Sequence, residues 1–119
     1  MAALNKCQFI GNCGTDVDVR DVNGVKSASF RLAITERYKD RNGEKKEATE
    51  WVNIACWRGA AEIAAKYVKK GDPIYIEGKY HTREYTDRNG EKRYITEVVV
   101  ETIQLLGRKP DNQTSDTAF

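Results

Sequence analysis

The sequence has one histidine, two prolines and three cysteines, and no two cysteines form a Cys-x-x-Cys pair. A structural zinc site draws its ligands from such pairs, so a metal is excluded as the organising element, and no cofactor is expected. An odd number of cysteines also argues against a disulfide framework. No apolar run approaches the roughly 18 residues that a membrane helix needs. The opening Met1-Ala-Ala-Leu-Asn-Lys6 lacks the basic-then-apolar profile of a secretion signal. The expected compartment is therefore the cytoplasm, with no membrane partner. Charge of one sign is not in excess either: 20 basic residues face 18 acidic ones, a formal +2. Such a balance marks no partner by itself, so the placement of charge has to carry any electrostatic argument. There is no phosphate-cradling glycine motif and no recognisable Ser/His/Asp arrangement. Cys56 with His81 is the one nucleophilic pair to weigh, against the commoner reading of cysteines as small buried apolar side chains.

What the chain does have is a repeated phrase. Tyr38-Lys-Asp-Arg-Asn-Gly-Glu-Lys-Lys46 returns as Tyr85-Thr-Asp-Arg-Asn-Gly-Glu-Lys-Arg93, an offset of 47 (85 − 38). Each copy reads as a β-hairpin finger with a tyrosine at its foot, an Asn-Gly turn and basic residues along its length. Asp-Arg-Asn-Gly is also plain turn chemistry, and a third Asn-Gly at Asn23-Gly24 lacks the tyrosine and the basic cluster. The expectation is that both fingers stand on one surface and that a nucleic-acid strand lies along it. Tyr85 shares strand parity with Lys79, His81 and Arg83. Tyr38 differs in parity from Arg31 and Arg37, so a bulge or strong twist is needed to bring it to their side.

The remaining segments fit a small barrel. Lys6 to Ile10 reads as a strand that bends at Gly11-Asn-Cys-Gly14 and resumes through Val17 and Val19. After the type I′ signal at Asn23-Gly24, the residues Ala28, Phe30, Leu32 and Ile34 alternate with Ser29, Arg31, Ala33 and Thr35. In Thr49 to Trp57, Val52, Ile54 and Cys56 share one face and Trp51, Asn53, Ala55 and Trp57 the other. The aliphatic face is the better core, which sends both tryptophans outward. Arg58 to Lys70 switches to helical period, with Gly71 as its stop. Two more strands follow, from Pro73 and from about Arg93 to Leu106. This is all-β with one helix: a five-stranded OB-fold, a Greek-key barrel with the helix between strands 3 and 4 and long β-hairpins. Residues 1–107 form that domain, and residues 108–119 form a short, disordered polar tail. Outward indoles bind single strands with little sequence preference, because every base has a π-face. Their alternative reading is a second core or a subunit interface.

The ordered motifs resemble the bacterial single-stranded DNA-binding protein family. They are Asn5-Lys-Cys-Gln-Phe-Ile-Gly-Asn-Cys-Gly14, Thr49-Glu-Trp-Val-Asn-Ile-Ala-Cys-Trp57, Glu62-Ile-Ala-Ala-Lys-Tyr-Val-Lys-Lys-Gly71, Ile74-Tyr-Ile-Glu-Gly78 and Tyr94-Ile-Thr-Glu-Val-Val-Val100. The resemblance runs from Leu4 to Gly107. It implies an OB-fold homotetramer that binds and protects single-stranded DNA in replication, recombination and repair, without catalysis. It places base stacking on Tyr38, Trp51, Trp57 and Tyr85, and phosphate contacts on Arg20, Arg37, Arg41, Arg58, Lys70 and Arg83. Tyr38 and Tyr85 stand where the family commonly has tryptophan, Trp57 where it commonly has phenylalanine, and Glu84 where it can carry a base. The family's acidic tip recruits replication and repair proteins; here the tail is short, and Ala118 precedes Phe119, the residue left to bind a partner. The alternatives are an OB-fold RNA-binding or primosome accessory protein and a protein-interaction adaptor using the same outward face.

Overall fold

The computed structural model describes residues 1–107, so the tail expected over 108–119, including Phe119, lies outside the described residues. The elements run β1 (Cys7–Cys13), β2 (Asp18–Val22), β3 (Val25–Lys39), β4 (Lys45–Trp57), α1 (Gly59–Tyr67), β5 (Pro73–Thr86) and β6 (Lys92–Leu105). The sheet order is β1-β5-β6-β4-β3-β2, with a further β1–β3 pairing. That extra contact, Asn12 with Ala33 and Cys13 with Leu32, brings the ladder round into a ring. The OB-fold order is therefore present. The one strand expected from Lys6 to Val19 is two, because Gly14 to Val17 leaves the ladder between β1 and β2.

Period-two alternation decides what is inside. Ala28, Phe30 and Leu32 from β3, Ile54 and Cys56 from β4, Ile74 and Ile76 from β5, and Val98 and Val100 from β6 are all buried. Ala61 and Ala64 of α1 pack on them; small side chains let the helix approach the ring closely. The helix ends at Tyr67, short of the expected Lys70. Val68 takes an extended conformation and turns its side chain into the core. Burying that valine outweighs one further turn of helix, whose positions would be polar lysines. The turn beyond is stitched to the end of β1: Gly71 N–H donates to Cys13 O (2.7 Å) and Cys13 N–H to Asp72 O (2.9 Å).

β6 carries an irregularity that the expected strand lacked. Glu77 pairs with Thr102 but Gly78 with Val100, which leaves Glu101 out of the ladder register. One extra residue flips the side-chain parity. Inward positions therefore change from even, Val98 and Val100, to odd, Ile103 and Leu105.

Among the described residues, no helix is long and apolar enough to cross a membrane, and no cluster of His, Cys, Asp or Glu is arranged to hold a metal. Cys56 is fully buried on the inner face of β4, whereas His81 is exposed on β5, level with Glu97 on the outer side. The two never meet, so the nucleophilic pair is not assembled.

Candidate nucleic-acid interface

Both fingers close through the same turn. Asp40 O accepts from Gly43 N–H and Asp40 N–H donates to Glu44 O, each at 3.0 Å; Asp87 makes the same two bonds with Gly90 and Glu91, again at 3.0 Å. The Asp40 Oδ1 accepts from the N–H groups of Asn42 and Glu44, and the Asp87 Oδ1 from those of Asn89 and Glu91, all at 2.9 Å. Gly43 (φ 79°) and Gly90 (φ 81°) hold the left-handed position of a three-residue loop. Asn23-Gly24, by contrast, has both residues at positive φ, as a type I′ turn requires. The same dipeptide makes two kinds of turn, although an aspartate stands two residues before the asparagine in all three (Asp21, Asp40 and Asp87). Each finger also has a hydroxyl pair at its base: Thr35 with Thr49 at 2.9 Å, and Thr82 with Thr96 at 3.1 Å.

The fingers are joined to the barrel in opposite senses. β4 and β6 lie side by side and parallel, so the order β5-β6-β4-β3 places the two hairpins about an axis along the strands. Rotation about such an axis exchanges the faces of a sheet. The odd offset of 47 (85 − 38) says the same in sequence: equivalent residues fall on opposite parities. There is also a slip of three residues, since Ile54 stands level with Val98 rather than with its repeat equivalent Glu101 (101 − 98).

The outer face can be followed across the sheet by register. Arg20 pairs with Ser27, which pairs with Trp57. Arg31 pairs with Asn53, Ala33 with Trp51 and Arg37 with Glu47. Ala55 meets Val99, which meets Lys79; His81 then pairs with Glu97, Arg83 with Ile95 and Tyr85 with Arg93. Trp51 (49% exposed), Trp57 (40%) and Tyr85 (43%) therefore share this face. Tyr38 is as open (52%) but pairs with Lys46 on the other parity, and no bulge interrupts β3–β4 from Ser27 to Lys39. The expectation that both tyrosines stand on one surface is thereby overturned. Tyr38 lines its own cleft, with Arg37, Lys39, Lys45 and Lys46.

Between the tryptophans, β4 and β6 pair only at Ile54–Val98 and Ala55–Val99, then part toward the finger tips. A cleft opens there, lined by Trp51, Asn53, Tyr94, Ile95 and Glu97. Asn53 Nδ2 spans it by donating to Thr96 O (3.1 Å). A second cleft is lined by Trp57, Lys79, His81, Arg83 and Glu97. Glu97 is the one buried acidic residue among those described (7% exposed), and its Oε2 accepts from Arg83 Nε at 3.0 Å. Arg37 Nε is held in the same way by Glu47 Oε2 (3.0 Å). Each carboxylate holds its guanidinium through Nε, so the terminal amino groups can serve a second acceptor. That geometry suits a planar bidentate contact to phosphate.

The other cations expected to contact phosphate are more scattered. Arg20 is paired with Asp18 (3.1 Å) beside the Trp57 row. Arg41 lies in the first finger's loop, and Lys70 stands exposed on the turn after α1. Arg58, next to Trp57, has φ 56° and ψ −119°, a conformation normally left to glycine. Glu84 pairs with Lys92 (3.5 Å). Sequence reasoning missed Glu97, Gly14 and Arg31. Arg31's shared parity with Ala33 was the one available signal, while Glu97 becomes significant only through its cross-strand partner.

The model of the single-strand binding protein family matches residues 4–106. Single-stranded DNA-binding protein 1 of Xylella fastidiosa is 44% identical over 114 residues, covering 94% of this chain and 84% of that protein. The single-stranded DNA-binding protein of Neisseria meningitidis serogroup A is 40% identical over 111 residues; the match covers 92% of this chain but 64% of that protein, just under two thirds of its length. Among solved structures, the Plasmodium falciparum SSB complex with ssDNA aligns with a TM-score of 0.78 at 32% identity, covering 90% of this chain and 98% of that one.

Proposed function

The chain belongs to the single-strand binding protein family, and from that premise we propose that it binds single-stranded DNA with little sequence preference, by stacking bases on outward aromatics and pairing phosphates with arginines. The activity is binding, with no bond made or broken. The observation that carries this reading is the joint exposure of Trp51, Trp57 and Tyr85 on one face, between two fingers that hold Arg37 and Arg83 by Nε. An exposed indole in water gains from a stacked base of any identity, about 1–3 kcal/mol per base. Tyr38 serves the same strand from the opposite face of its finger. Arg20, Arg41, Arg58 and Lys70 add phosphate contacts around the rim.

The assembly we propose is a homotetramer. In support, among the described residues Cys7 to Gly11 of β1 pair with β5 on one edge and with no strand on the other, and the side chain of Ile10 on that strand is exposed. An open edge beside an apolar side chain invites a second copy. A cytoplasmic setting and the recruitment of replication or repair proteins through Phe119 complete the proposal.

Titration with poly(dT) tests the reading. Saturable quenching of tryptophan emission that weakens with salt supports it, and a chain that captures a protein partner but binds no single strand at low salt refutes it.

A further inference from the structure

Trp51 and Trp57 differ in how they are held. The arm that follows β1 is clipped to β3 at a single residue, Arg31. Gly14 N–H donates to Arg31 O (2.8 Å), and Arg31 N–H donates to Thr15 Oγ1 (3.0 Å). Both main-chain groups of Arg31 on that edge are therefore taken by the arm. The preceding residue, Cys13, is buried and bonded to Asp72 O (2.9 Å), so the arm cannot draw back. Against it lies the six-membered ring of Trp51. A Cβ on Gly14 would stand 2.3 Å from Cζ3 and 3.0 Å from Cη2 of that ring, and 3.3 Å from Arg31 O. Arg31 also places its guanidinium over the indole, with Cζ 4.7 Å from the ring centroid. Among the described residues, no cation stands over Trp57.

We propose that Gly14 and Arg31 are positioning residues for the Trp51 indole, an inference that rests on the reading of Trp51 as a stacking residue. Gly14 supplies a wall with no side chain, which lets the indole lie down against fixed main chain. Arg31 holds the ring by cation–π attraction from the neighbouring strand. An indole held in one orientation loses less freedom when a base stacks on it, so part of the ordering cost of binding is met in the free protein. Gly14 is not in the left-handed region, so alanine is tolerable to its backbone. With the arm clipped, the added methyl displaces the indole.

The test is a double-mutant cycle on the full chain, read as affinity for a dT oligonucleotide at fixed salt. Gly14→Ala is expected to weaken binding by roughly tenfold, within the range of one stacked base, and to have no effect when Trp51→Ala is already present. Arg31→Lys keeps the charge but loses the planar fork. It is expected to cost roughly two- to fivefold, again only while Trp51 is there, with the salt dependence unchanged. In a Trp57→Phe background the remaining emission reports Trp51, and both variants should shift it to the red and make it more accessible to acrylamide. If Gly14→Ala fails to fold, Arg31→Lys carries the test. Equal losses with and without Trp51, or an unmoved emission, overturn the proposal. If Trp51→Ala alone leaves affinity unchanged, the stacking reading fails instead, and the emission shift then judges the positioning claim by itself.

Discussion

Tyr38 and Tyr85 occupy the same place in two hairpins that share one set of turn hydrogen bonds, yet they stand on opposite faces of the sheet. Lys46 faces the first and Arg93 the second, positions related by the same offset of 47 (93 − 46). A strand lying on the Trp51–Trp57 face meets Tyr85 directly. It has to pass round the first finger to meet Tyr38.

This separates the two tyrosines by the length of DNA each requires. OB-folds occupy roughly 4–16 nucleotides. Tyr85→Ala is expected to weaken binding of oligonucleotides at the short end of that range, whereas Tyr38→Ala weakens only longer ones. Affinities measured across a series of dT lengths check this. Equal losses for both variants at the shortest length that binds would show that one face serves both.

The indole at the end of β4 is 40% exposed, so its truncation removes packing as well as a stacking surface. Trp57→Phe, which keeps an aromatic body, should change the melting temperature less than Trp57→Ala, whereas Trp57→Ala should lower single-strand affinity by about 1–3 kcal/mol, roughly 5- to 150-fold. Calorimetry of binding and unfolding on one preparation compares the two effects.

The second finger has a pH limit set at its turn. Arg93 Nε at 2.9 Å, helped by the Glu91 and Asn89 N–H groups, holds the Asp87 carboxyl below its usual value of 3.8. A depressed carboxylate contributes its stability above the unfolded value and loses it as pH falls through the folded one. Protection of the Asn89 and Glu91 amides, their exchange taken against the intrinsic rate at each pH, should therefore hold at neutral pH and fall as pH drops below 3.8. In Asp87→Asn the protection should already be lost at neutral pH.

Burial pushes the Cys56 thiol up to about 12, so almost no thiolate forms at neutral pH. Native protein should leave Cys56 unalkylated by iodoacetamide, and denaturant should release it. A raised folded value also means that its contribution to stability is whole below the ordinary value of 9.0 and declines as pH climbs through about 12. Mass spectrometry of the tryptic peptide follows the modification.

Much of this was legible in the residues. The alternation of Thr49 to Trp57 placed both indoles outside, because one parity held Ile54 and Cys56. The repeat located both fingers, and its odd offset already held the inversion of Tyr38 against Tyr85. What was not legible depends on contacts across strands. The helix stops at Tyr67 because Val68 is drawn into a core built from five strands. Glu101 drops out of register, and the only trace in sequence is the change from Val98 and Val100 to Ile103 and Leu105. Gly14 read as a bend and became a wall for Trp51, a residue 37 positions away (51 − 14).

The central claim is that aromatic stacking and arginine–phosphate pairing act together on one face. It is tested most directly by titrating the chain with poly(dT) at two salt concentrations, following tryptophan emission, beside the Trp51→Ala/Trp57→Ala and Arg37→Ala/Arg83→Ala variants. The account predicts quenching that saturates and an affinity that falls as salt rises. The arginine variant should flatten the salt slope by roughly one for each phosphate that is no longer neutralised. The tryptophan variant should weaken binding while keeping the slope. Affinity unchanged by loss of both tryptophans, or binding indifferent to salt, would contradict it.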